Sequence, residues 1–578
     1  MDKSLIIRLF NNKFLFNYIF IDCFKYIHSL IFSNKLNSKT YRWHELINNT
    51  EVIAGNGYLD LLHQYFERNN NNNSNCDNIC SSKTIINAIK FGSLRMLRYL
   101  MEEVKIDVLR KDKLLNYHND VLRYAVRYSK FDIIRYLCEE SVVATKLNFN
   151  QAMIEAPFSH SMDILKYIME RDSKTAKFSS TIEYTRLTVS PFDTAAKVGR
   201  VDMIDYLATN RSSDRKYSMM YHNAIIAGHD NVVEYLLREN KDVTSFNEDD
   251  EVDNLFGLAA RENNFNVLQM LYNHNIVTNP EEAIEGAAEN GNIEMLNWIN
   301  VRIPSCPVGS AINKASCKGH LKAIEWLFEN KSDQIASQNP FAQTNPIVDA
   351  AIFGNLSIIQ WFHWNQHHHF QFNSNVMHSA ALNGFTEIVA WLHQNRTEGC
   401  NSNTFDITVK NEHFDVLKYL HTHRITSATD KAMNYAIERN RMDILIWLHE
   451  NRSEGCSTLG MDIAARDGNL PVAQWLHNNR TEGCSRMTLH LAVKYGKLDM
   501  AEWLMANKTE CTIQSISYND HLTPILSNII RNDDYRAMEW LLKRIPAEGI
   551  EHYKHWEPKP HASNNTAKLM RSFNPNNK

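Results

Sequence analysis

Three stretches of this chain carry nearly the same wording: WLHQNRTEGC at residues 391–400, WLHENRSEGC at 447–456 and WLHNNRTEGC at 475–484. The last two begin 28 residues apart. A fixed period constrains a fold strongly, because each unit must be one small supersecondary element that buries its apolar face by stacking on its neighbours. Aligning the chain on a small residue followed eleven positions later by an aromatic extends the pattern to sixteen anchors: Ile53, Ala88, Ala125, Ala156, Ala195, Ala224, Ala259, Ala287, Ala315, Ala350, Ala380, Thr408, Ala436, Ala464, Ala492 and Ile529. From Ala380 to Ala492 the period is 28 throughout; elsewhere it runs between 28 and 39.

The clearest copy, SRMTLHLAVKYGKLDMAEWLMANK at 485–508, predicts a helix, a tight turn and a second helix. Leu489, Ala492 and Val493 fall at i, i+3 and i+4, one apolar stripe. Four residues after the anchor stands Gly57, Gly92, Gly199, Gly228, Gly291, Gly319, Gly354, Gly384, Gly468 or Gly496, so ten of the chain's nineteen glycines share one slot, with Asn263 and Asn440 in two further copies. Glycine, then Asn, is the residue that ends a helix in the left-handed conformation, which makes the slot a predicted helix stop. Three residues later an acid recurs, as in Asp202, Glu294, Asp415, Asp443 and Asp499. There it is expected to cap the second helix and meet the positive end of its dipole. The aromatic follows, as Tyr99, Tyr136, Tyr167, Tyr206, Tyr235 and Tyr419 and as Trp298, Trp326, Trp361, Trp391, Trp447, Trp475, Trp503 and Trp540, and only Gln64 and Met270 break the column.

A single such pair cannot bury both stripes, and stacking equivalent pairs does. The pattern resembles the ankyrin-repeat family, on MTLHLAVKYGKLDMAEWL (487–504), AAKVGRVDMIDYL (195–207), AIIAGHDNVVEYLL (224–237) and AAENGNIEMLNWI (287–299). The resemblance implies an all-α, ankyrin-type helix-turn-helix repeat solenoid over residues 46–545, most regular at 287–510. The copies near the C-terminus are five residues shorter than the family's usual unit of about 33, which implies short connecting fingers. The Trp-Leu-His wording and the Asn69–Asn73 tract resemble the long divergent ankyrin arrays of Asn-rich amoebal proteomes. Residues 1–45 precede the array and read as a helical cap or adaptor; residues 546–578, rich in Asn, Pro and Lys, read as a disordered tail.

Composition narrows the function. Across 578 residues, 44% hydrophobic and 22% charged content is globular, and a formal net charge of −4 gives no broad basic field for nucleic acid. Ten scattered cysteines do not make a disulfide framework, and the charge-broken apolar N-terminus predicts neither a spanning helix nor a signal peptide. The expectation is a monomeric cytoplasmic protein with no membrane insertion.

The residue types that look chemical also recur with the period. His363, His393, His421, His449 and His477 stand thirteen residues after successive anchors, and Arg396, Arg424, Arg452 and Arg480 stand sixteen after them. Packed helices lie about 8–10 Å apart, so the histidines offer no regular four-ligand metal site. They are expected to flank the apolar stripe, and the arginines to meet the negative end of the helix dipole. The same spacing argues that Cys400, Cys456 and Cys484 stand too far from cysteines one repeat away to pair. Cys76 and Cys80 have no second ligand pair at zinc spacing, and the histidines of HWNQHHHF (363–370) read as part of an inserted polar loop. No nucleotide-binding, zinc-protease or nucleophile-elbow motif occurs in the sequence. The expected protein therefore has no catalytic, cofactor-binding or metal-binding residues. It is a non-enzymatic scaffold for one or more protein partners, with His393, Arg396, His421, Arg424, His449, Arg452, His477 and Arg480 as candidate contacts. The alternative is a substrate-binding adaptor of a ubiquitin ligase, since LFNNKFLFNYIF (9–20) is similar to the start of F-box-like segments.

Overall fold

The computed structural model describes residues 49–70, 82–105, 121–141, 144, 147, 149–175, 189–211, 219–239, 254–337, 345–365, 370–517, 519–545 and 566. The expected cap or adaptor at 1–45, the Cys76/Cys80 loop, the centre of the histidine run and all of the tail except Thr566 lie outside them. Every described element is helical, and the chain is an all-α solenoid of helix-turn-helix pairs. It divides into two compact units, Met1–Asp250 and Glu251–Lys578.

In the first unit the pairs run from Thr50–Gly55 with Leu59–Asn70 to Met220–Ala227 with Asp230–Arg238. Two of them are irregular. The helix Leu94–Arg98 continues through a π-helical turn at Tyr99–Glu103, and Phe149–Glu155 continues as a 3-10 turn at Ala156–Ser159. In the second unit they run from Leu255–Arg261 with Phe265–Asn273 to Asn519–Arg531 with Tyr535–Arg544. Within each unit the first helix of a pair packs on the first helix of the next. The anchors line that seam: Ala259, Ala287, Ala315, Ala350, Ala380, Thr408, Ala436 and Ala492 are all fully buried. A small side chain there lets neighbouring helices approach closely. The second helix contributes residues such as Met500, Ala501 and Leu504, and the Leu after the aromatic lies deeper than most of the tryptophans.

All sixteen helix stops, one per anchor, have positive φ. At Gly468 the turn closes by Asn469 N–H on the Ala464 carbonyl (2.9 Å) and Gly468 N–H on that of Ala465 (3.3 Å). Glycine is needed for a second reason at Gly384, where an added Cβ would stand 2.6 Å from Nδ1 of His413 in the next repeat. Where the stop carries a side chain, the next repeat bonds to it instead: Asn292 to Asn263 (2.8 Å), Arg441 to Glu412 (3.1 Å) and Asn469 to Asn440 (2.5 Å).

The recurring acid occupies a different place from the one expected. Asp202, Glu294, Asp415, Asp443 and Asp499 lie inside the first turn of the second helix, two residues past the N-cap. The capping oxygen, where there is one, belongs to the residue just after the stop, as in Asn264, Asn292, Asn469 and Asp534. The acids still meet the helix dipole, and Asp202 and Asp443 also pair with Arg200 and Arg441 at that cap position.

A second polar column binds the repeats together and is not among the sequence expectations. Two residues before the anchor, Asp406 accepts from Thr429 N–H (2.9 Å) and Oγ1 (2.6 Å), Asn434 donates to Ser457 (2.9 Å), and Asp462 accepts from Ser485 (2.7 Å) and Thr488. Each is buried, and each ties a first helix to the start of the next. Their signal is present in the sequence, as FDIT, MNYA and MDIA at the same period.

Candidate functional site

The histidine and arginine columns form one ladder along the second helices. The ring of His421 stands edge-on to Trp447 of the next repeat at 5.1 Å, His449 to Trp475 at 5.2 Å, and His477 to Trp503 at 5.6 Å. His393, whose next repeat has Tyr419 in the aromatic slot, meets that ring at 6.0 Å and its hydroxyl at 3.3 Å. The arginine of the next repeat then closes over the histidine: Arg480 Nη1 lies 3.3 Å from His449 Nδ1, and Arg396 Nη1 lies 3.4 Å from His363 Nδ1. These contacts are structural, since each holds one repeat against the next.

Three of the four arginines are also neutralised within their own connection. Arg396 pairs with Glu398, Arg452 with Glu454 and Arg480 with Glu482, each carboxylate two residues on. Arg396 lies over the Phe372 ring (4.3 Å) and Arg452 over Phe405 (5.1 Å). Burial works against ionisation of Glu482, but bonds from Arg480 and from the backbone N–H groups of Glu482 and Cys456 outweigh it, and its pKa falls to about 2. Glu398 and Glu454 are likewise held below the ordinary range by their arginines, against the effect of burial.

Arg424 is the exception. Thr426 stands where the others have Glu, and among the described residues no carboxylate pairs with Arg424. Its backbone is left-handed, at φ 52°, whereas Arg396, Arg452 and Arg480 are extended near −130°. The cause is one position upstream. In the sibling repeats an Asn ends the second helix and donates back to the Trp carbonyl (Asn395 2.8 Å, Asn451 2.8 Å, Asn479 2.9 Å). Here His423 takes that place and packs on Tyr419 (4.2 Å) and His393 (5.1 Å). The chain then turns at Arg424, with Ile425 N–H on the Leu420 carbonyl at 3.1 Å.

The result is an open cavity of about 670 Å³ lined by His421, Thr422, Arg424, Ile425, Thr426, Ser427 and Arg452. Nδ1 of His421 is buried there with no hydrogen-bond partner, although its siblings His363 and His449 meet an arginine. An exposed guanidinium and hydroxyls suit an oxyanion. Of the eight candidate contacts, the structure brings His421, Arg424 and Arg452 to this cavity and leaves His393, Arg396, His449, His477 and Arg480 in the ladder. Among the described residues there is no cluster of three or more His, Cys, Asp or Glu arranged to hold a metal, and no helix long and apolar enough to cross a membrane.

The cysteine spacing argument needs correction at one point. Cys484 and Cys511, one repeat apart, are free thiols as expected, but their sulfurs stand only 3.5 Å from each other. A hydrogen bond from Cys511 lowers the pKa of the Cys484 thiol, and the same bond together with burial raises that of Cys511.

The fold and the ladder define a helical-repeat protein whose periodic residues serve the stacking. A family model described as ankyrin repeats (many copies) matches residues 461–505, which span most of two successive helix pairs. No curated protein matches the sequence. Among solved structures the chain is similar to a pentatricopeptide repeat protein from maize, at 10% identity over 89% of this chain and 92% of that one, with a TM-score of 0.24; so loose a superposition transfers no property.

Proposed function

We propose that the protein is a non-enzymatic interaction scaffold built from ankyrin-type repeats, and that the connection at Arg424–Ser427 receives an acidic side chain of its protein partner. One observation carries this reading: three arginines of the column are closed by their own glutamate, and the fourth faces a cavity with no acid of its own. A partner's carboxylate would stand where Glu398, Glu454 and Glu482 stand in the sibling repeats. The positive φ of Arg424 supports a functional role, since a left-handed non-glycine residue costs about 1–2 kcal/mol. The same reading has the chain acting as a monomer in the cytoplasm, in keeping with the free thiols of its seven described cysteines.

Selection of a displayed random-peptide library on the full-length protein tests both parts. The expected binders carry Asp or Glu, and replacing that acid by its amide weakens them. Arg424→Gln and Thr426→Glu, which would supply the missing carboxylate internally, should each reduce affinity about 10-fold or more, as for loss of one charge-assisted hydrogen bond. Arg480→Gln should not. Binders without an acid, or insensitive to Arg424→Gln, would sink the pocket assignment and leave the scaffold standing. A library that yields no binder would count against both.

A further inference from the structure

Cys484 and Cys511 belong to corresponding connections of consecutive repeats, and the two connections differ in length by one residue. The first reads NRTEGC and the second NKTEC, without the glycine. The deletion changes what faces the preceding cysteine. In the complete version Glu482 reaches back to the preceding repeat and accepts from the Cys456 N–H at 3.1 Å, so a carboxylate lies against that cysteine. In the shortened version Cys511 itself reaches Cys484, at 3.5 Å between sulfurs, and Glu510 Oε2 stands 3.9 Å from the Cys484 sulfur. The two thiols also differ in access: Cys484 is partly exposed and Cys511 is buried.

We propose that this pair is a peroxide-reactive dithiol, in which Cys484 is the attacked sulfur and Cys511 the resolving one. Cys484, as thiolate, attacks one oxygen of hydrogen peroxide; the O–O bond breaks, leaving a sulfenic acid, and the departing hydroxide takes up the thiol proton as water. Cys511 then attacks the Cys484 sulfur, forming the S–S bond and releasing the second water. Two thiols and one peroxide give one disulfide and two waters, with both electrons passing from sulfur to oxygen. Closure to a bond of about 2.05 Å requires the sulfurs to approach by roughly 1.5 Å, which side-chain rotation in a connection without regular structure allows. The bond would enclose the helices Thr488–Lys494 and Leu498–Asn507. The lowered pKa of Cys484 acts in the same direction, since the thiolate is the reactive form.

The full-length protein is treated with hydrogen peroxide, its remaining thiols are alkylated, and it is digested for mass spectrometry. The expected product is a peptide pair joined through Cys484 and Cys511, about 2 Da lighter than the two thiol peptides together and separated by dithiothreitol. In Cys511→Ser, Cys484 should instead pass on to the sulfinic acid, because nothing resolves it. In Cys484→Ser, Cys511 should remain a thiol at the same dose. A wild-type protein in which Cys484 becomes sulfinic acid while Cys511 stays free would overturn the proposal. So would one in which both stay alkylatable at doses that oxidise free glutathione.

Discussion

The connection after Arg480 and the connection after Arg424 occupy the same register of the repeat and end in opposite states. At the first, Asn479 caps the Trp475 carbonyl, Arg480 runs extended and lies against His449, and Glu482 neutralises it while accepting from Cys456 in the preceding repeat. At the second, His423 replaces the Asn, Arg424 turns left-handed, and Thr426 supplies no charge. A solenoid can therefore keep its helix pairs in register while the connection between them changes from closed to open, here with His423 in place of the Asn and Thr426 in place of the Glu among the differences. The backbone strain at Arg424 fits that view: in the first repeat of the second unit the same left-handed position is held by Asn275, a residue type that tolerates it.

The comparison breaks first if the two connections stand on different cores. Leu420 and Leu476 are both buried under them, and Leu420→Ala and Leu476→Ala should each cost about 2–5 kcal/mol, alike within about 1 kcal/mol. Denaturant unfolding of both variants checks this, and a gap much wider than that would mean the connections cannot be compared as two states of one site.

A smaller effect separates them. Glu482→Gln should cost about 1–2 kcal/mol at neutral pH. The folded pKa of Glu482 is depressed, so its contribution is complete above the ordinary value near 4.5 and is lost as pH falls toward about 2. Wild-type protein should thus lose stability across that window, and the variant should lose less. An unchanged acid slope in Glu482→Gln would remove the claim that this connection is closed by charge.

The smallest effect has the opposite sign. Arg424→Asn should raise stability by about 0.5–1 kcal/mol by relieving the left-handed arginine, and should abolish selection of acidic peptides. Thermal unfolding together with peptide binding measures both at once. A variant that is less stable would show that Arg424 is part of the scaffold after all.

Much of the fold is legible in the sequence. The period locates the anchors, and the ten glycines with Asn263 and Asn440 mark twelve of the helix stops, all of which adopt positive φ. Ser129, His160, Glu412 and Asp533 adopt it too, and of these only His160 and Asp533 are of residue types enriched in that conformation. Contacts distant in sequence accompany the strain there, with Glu412 held by Arg441 (3.1 Å) and Asp533 accepting from Thr566 (2.6 Å). The site is half legible. The arginine column is visible, and so is the Arg-x-Glu spacing in NRTEGC, yet only side-chain positions reveal that His421 keeps an unfilled nitrogen. The period places the acids near the right helix end but two residues away from the cap, because a cap depends on where the preceding turn releases the chain.

What the sequence determined alone is whatever repeats: helix, stop, helix and stack, since these follow from local propensity and from an apolar period that every copy shares. What only the tertiary structure decided lies between copies, in the cavity at Arg424 and the thiols of Cys484 and Cys511. Both depend on side chains from neighbouring repeats meeting or missing across a few ångströms, a distance that one deleted glycine or one substituted glutamate changes while the period stays intact.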